Sequence, residues 1–131
     1  MNFKLPRLAT LALLLVPAGA YAHHGREMFD MARTLTATGV VKDWQWTNPH
    51  AWIELAVEDK GTIASFEGNS ITILTRQGWK RGSIKVGDKI TVTYHPLVNG
   101  KPGGDFIQVT DSEGKTLQGG PGGPPPAAPA K

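Results

Sequence analysis

Apolar and polar side chains alternate with a period of two through the middle of this chain, which restricts it to a mainly β fold. Ala51, Ile53, Leu55 and Val57 fall on one face of a strand, with Trp52, Glu54 and Ala56 on the other. Across Lys89 to His95, Ile90, Val92 and Tyr94 oppose Thr91, Thr93 and His95. Thr34 to Trp46 is rich in Thr, Val and Trp, Thr62 to Glu67 reads as a third strand, and Asp105 to Thr110 reads as the last. Asn48-Pro49, Glu58 to Gly61, Val86-Gly87-Asp88 and the Gly/Pro loop Asn99 to Gly104 are turn signals between these runs. Only Ser70 to Gln77 can be helical, with Ser70 as N-cap and Gly78 at the left-handed C′ position. Its interior residues Ile71, Thr72, Ile73 and Thr75 are poor helix formers, so the helix is expected to be short. The expected fold is therefore all-β in the main, an OB-like five-stranded barrel with one short helix between strands 3 and 4. A barrel also removes exposed sheet edges, although a small sandwich could share this element order.

The domain occupies only part of the chain. Residues 1–22 read as a cleavable signal peptide: Lys4 and Arg7, an apolar run from Leu8 to Val16, then Ala20-Tyr21-Ala22. A membrane span would need roughly 20 apolar residues. Cleavage after Ala22 makes His23 the first mature residue; cleavage after Ala20 would leave Tyr21 in front. The expected location is the periplasm, with no membrane span after cleavage. Residues 23–32 form a polar leader rich in His and Met, 33–118 the barrel domain, and 119–131 a Gly/Pro/Ala tail that cannot bury a core and is expected to be disordered.

Losing Lys4 and Arg7 leaves 12 basic against 11 acidic side chains, a net charge of +1. Nothing in that balance points to nucleic acid. Cysteine is absent, which removes disulfides, lipid attachment at a cysteine, thiolate catalysis and cysteine-based zinc sites. A domain this small must then be held by its core, a bound metal or a partner.

Five motifs in order resemble a family of short secreted proteins of Gram-negative bacteria catalogued as a domain of unknown function. They are His23-His24 with Phe29-Asp30 behind it, Thr38-Gly39-Val40-Val41, Trp46-Thr47-Asn48-Pro49-His50, Glu67-Gly68 through Leu74 and Arg76 to Gly78-Trp79, and Val86-Gly87-Asp88. Similar proteins often carry a proline early in the helix, where this chain has Ile71. The resemblance implies no activity.

The chemistry available rests on four histidines, His23, His24, His50 and His95. An N-terminal His23 offers one metal ion two nitrogens, its α-amine and its ring Nδ1. A histidine from elsewhere then completes a T-shaped copper site, a histidine brace, and His24 adds another imidazole. Copper(II) favours such nitrogen sites, and the thioethers of Met28 and Met31 suit copper(I). The α-amine, with a reference pKa of about 7.7–8.0, makes affinity fall in mild acid. The expected metal set is His23, His24, His50 and Met28, holding copper or another transition metal; the competing reading is a solvated terminus that binds metals weakly.

His50 is either an exposed ligand or a residue whose ring fixes the Asn48-Pro49 turn through a backbone hydrogen bond. His95 reads as a surface histidine. Trp44, Trp46 and Trp52 lie close together, and a barrel this small needs them as core. Turned outward, Trp46, Asn48, His50 and Trp52 would instead recognise a periplasmic protein or a glycan. A purely structural accessory domain is the third alternative. There is no G-x-S-x-G, H-E-x-x-H or phosphate-binding loop, so the chain is expected not to be an enzyme.

Overall fold

The computed structural model describes residues 25–120; residues 1–24, which include the expected signal peptide as well as His23 and His24, and residues 121–131 lie outside it. The elements follow in the order β1 (Leu35–Gln45), β2 (Trp52–Val57), β3 (Ile63–Glu67), α1 (Ile71–Arg76), β4 (Lys89–Pro96), β5 (Gly103–Asp111) and β6 (Thr116–Gln118). β1 pairs antiparallel with β2 on one side and β4 on the other. β2 pairs with β3, and β4 with β5, both antiparallel. A parallel pairing of β3 with β5 closes the five strands into a barrel. This is the OB-like architecture that the element order predicts.

Closure depends on one glycine in particular. Gly103 opens β5 with φ +125, and a Cβ there would run into the Ser65 carbonyl of β3. Only a residue without a side chain lets the two backbones approach closely enough to pair.

The alternating faces turn as their pattern dictates. Ala51, Ile53 and Leu55 are buried, as are Ile90 and Val92, with Val57 and Tyr94 packed against the same core. Trp46 and Trp79 join them, and Trp44 packs alongside. Phe66 and Phe106 complete the large side chains of the interior.

The helix forms because both of its ends are satisfied. The Ser70 side chain accepts from Ile73 N–H at the start, and Gly78 takes φ +94 after the last turn. Leu74 points inward, and the chain then delivers Trp79 over one end of the barrel. Trp79 Nε1–H donates to the Gln118 carbonyl at 2.6 Å, and its ring lies 5.6 Å from that of Phe106.

Two features depart from the expected plan. β6 is a sixth strand outside the barrel proper, paired with Gln108, Val109 and Thr110 of β5. The Asp111 carboxylate builds its hairpin turn by accepting from Glu113 N–H and Lys115 N–H, both at 2.9 Å. The ordered chain also runs past Gln118. Gly119 and Gly120 N–H both donate to the Ile107 carbonyl, and the side chains of Asn69 and Gln77 bond their carbonyls. Among the described residues no helix is long and apolar enough to cross a membrane.

Candidate functional site

The leader is stitched to the barrel. Phe29 forms a β-bridge with Leu97, just beyond β4. Asp30 N–H donates to the Pro96 carbonyl at 2.8 Å, and Val98 N–H donates to the Met28 carbonyl at 2.9 Å. A turn closed by Phe29 N–H on the Arg26 carbonyl reverses the segment. The charge of Arg26 thereby acts on Asp105 of β5.

Asp105 stands in a row of titratable side chains on the outer face. Register puts it opposite His95 on β4 and opposite Glu67 on β3. Residues directly opposite in a ladder point to the same side of the sheet. Burial pushes the Asp105 carboxyl up to about 6; the charge of Glu67 adds to the rise, while His95, Arg26 and His50 pull the other way.

His50 ends the row beside Glu67, with its Nδ1 at 3.2 Å from Oε1. The same Nδ1 lies 2.9 Å from the Gly68 carbonyl. A carbonyl can only accept, so Nδ1–H donates and, in the neutral ring, the lone pair is left on Nε2. His95 repeats the arrangement, with Nδ1–H donating to the Arg33 carbonyl at 2.7 Å. Both barrel histidines are thus fixed in the tautomer that metal-binding histidines adopt when a backbone carbonyl holds the other nitrogen.

The residues singled out in the sequence fall in different places. His23 and His24 lie outside the described residues. Met28 is exposed, with its backbone engaged by Val98. Trp46 is only 9% exposed and turns into the core, within 5.6 Å of the Trp44 ring. Asn48 Oδ1 accepts from Ile71 N–H at 3.2 Å, so it supports the start of α1, and the Asn48–Pro49 bond is cis. The His50 ring bonds the Gly68 carbonyl just after β3, not the backbone of the Asn48–Pro49 turn, and its side chain is 48% exposed. Trp52 is half-buried on the outer face, opposite Glu67 in register. The structure therefore groups His50 with Glu67, Asp105, His95 and Arg26, not with Trp46 and Asn48.

Glu67, Asp105 and Arg26 carry no motif, and the reading of His95 as an isolated surface histidine missed its neighbours. The available signal was topological: in a barrel closed by β3 and β5, the end of β3 and the start of β5 must meet. Among the described residues no three His, Asp or Glu side chains stand close enough together to hold a metal ion.

A family model described as a family of unknown function (DUF6152) matches residues 12–106. No curated protein and no solved structure matches the chain.

Proposed function

The chain belongs to this family of unknown function, and we propose that it is an exported periplasmic binding protein that holds a transition-metal ion, copper fitting best, between its leader and the outer face of β3, β5 and β4. The observation that carries this reading is the docking of the leader along the end of β4. Two residue steps, at most about 7 Å of chain, separate His24 from Arg26, whose charge is felt by Asp105. The barrel supplies Nε2 of His95 nearest the leader and Nε2 of His50 farther along the row. The leader supplies His23, with its α-amine once the signal peptide is removed, and His24. Nitrogen donors of this kind suit copper(II) above the other divalent ions. Met28 would serve the cuprous state.

The division of ligands explains why the described barrel residues alone do not make a site. Two anchored imidazoles need the leader's nitrogens to complete a coordination sphere. Asp105, Glu67 and Arg26 set the charge around it. The role proposed for this row is binding. The alternative platform for a protein or glycan loses Trp46 to the core and keeps Asn48, His50 and the half-buried Trp52 on the surface.

Copper(II) titration of the chain beginning at His23 tests the reading, followed by electron paramagnetic resonance and calorimetry. Submicromolar binding with several nitrogen ligands is expected. One serine added before His23 should weaken it about a hundredfold by removing the α-amine from the chelate. Unchanged affinity in the extended chain would remove the brace, and millimolar binding in both would remove the metal.

A further inference from the structure

The end of the barrel away from α1 opens into a cavity of about 520 Å³. The start of β1, the β2–β3 hairpin and the β4–β5 loop surround it. Its walls are mixed: Leu35, Ala37, Val57, Ala64 and the ring of Tyr94 supply an apolar strip, and Thr36, Thr38 and Thr62 supply polar surface beside it. Small residues keep it open. Ala37 and Ala64 stand where bulkier inward-facing side chains would fill a barrel of this size. The Tyr94 ring is held edge-on against Phe66, with centroids 4.8 Å apart. That wall is therefore anchored to the core.

The charge around the cavity is one-sided. Arg33, Lys60 and Lys101 line it, against one carboxylate, Asp59. Among the described residues none of these three cations has an ion-pair partner. Cations that converge on a low-dielectric recess attract an anion more strongly than the same cations on a flat surface. A recess of roughly 300–1,000 Å³ is the usual size of a small-molecule site, and the about equal polar and apolar lining of this one suits a ligand that has both characters.

We propose that this mouth binds a small amphiphile with an apolar body and one anionic head, a medium-chain monocarboxylate. The body lies against Leu35, Val57, Ala64 and Tyr94. The carboxylate faces Arg33, Lys60 and Lys101. This site is separate from the histidine row and stands or falls independently of it.

Octanoate, octanol and octylamine are the probes, followed by amide chemical-shift titration of the purified chain in the presence of a metal chelator. Octanoate is expected to bind with submillimolar affinity, octanol about tenfold more weakly, and octylamine not measurably. Shifts should centre on Ala37, Ala64 and Tyr94. Lys60→Glu with Lys101→Glu should lower octanoate affinity about tenfold and leave octanol binding and the unfolding midpoint unchanged. Ala64→Leu should fill the recess and abolish binding of both; should it unfold the chain, the exposed charge-reversal pair still decides. Equal binding of octanoate and octanol overturns the proposal, as does indifference to charge reversal or no saturable binding. Retention on phosphatidylglycerol vesicles without octanoate binding would also overturn it, in favour of a cationic rim that meets a membrane surface.

Discussion

The two ends of the barrel are finished in opposite ways. At one end α1, Trp79, β6 and Gly119-Gly120 close over Phe106, and the Trp46, Trp44, Trp79 and Phe106 rings run in a chain with neighbouring centroids 5.6 Å apart. At the other end the small side chains of Ala37 and Ala64 leave a recess, and the leader is laid along its rim through Phe29 and Leu97. Large side chains are spent where the chain must be held without disulfides. Small and charged ones are kept where it can meet something else. On the proposed reading, stability and recognition fall to different ends of one small core.

Substitutions that weigh the two ends test this division most severely. Trp79 is 1% exposed and donates to Gln118, so Trp79→Ala should cost about 3–5 kcal/mol in urea unfolding. That approaches the whole stability of a marginal domain, about 5–15 kcal/mol. Leu35 lies on the open rim at 36% exposure, and Leu35→Ala should cost about 1 kcal/mol or less. Equal losses at the two sites would mean that the open end carries as much of the fold as the plugged one.

The plugged end and the strands were legible in the sequence for a physical reason. Ile53, Leu55, Ile90 and Val92 alternate strictly, and Ser70 and Gly78 announce the helix by the bonds and backbone angle each supplies. β6 was not legible, because Thr116, Leu117 and Gln118 are too few to show a period; the Asp111 to Gly114 turn was its only trace. The candidate site was half legible. Alternation turned His95 outward correctly, but its company depends on tertiary closure. Glu67 meets Asp105 only through the parallel β3–β5 pairing, and Asp105 meets His95 only across a ladder whose register slips between Thr93 and Tyr94. The docking of the leader uses backbone groups of Met28 and Asp30, which no side-chain pattern reports.

A second comparison lies within the histidine row. His95 is bonded to Arg33 at the leader's own end of the fold, whereas His50 is bonded to Gly68 near α1. If the leader completes a copper site, His95→Gln should lower copper affinity about tenfold and His50→Gln should change it less. Calorimetry on both variants separates the cases. A larger loss for His50→Gln would shift the site toward the Trp52 hairpin and away from the docked leader.

The smallest effect expected is also the one that isolates the charge of the row. In the metal-free fold the Asp105 carboxyl is raised to about 6 from 3.8, mainly by burial. Between those two values the folded chain holds a proton that the unfolded chain has already released. Stability contributed by this group is therefore greatest below the lower value and falls as pH rises through the higher one. A rise from 3.8 to about 6 corresponds to at most about 3 kcal/mol, and solvent screening at this partly exposed site brings the effect to about 1 kcal/mol. Asp105→Asn, measured with a chelator present, should thus stabilise the chain by about 1 kcal/mol at pH of about 7.5 and change nothing at about 3.5. The opposite sign at the higher pH would mean that attraction to Arg26 and His95 outweighs burial. Asp105 would then be the charge that holds the leader on the barrel, and the recognition end would owe part of its shape to a single carboxylate.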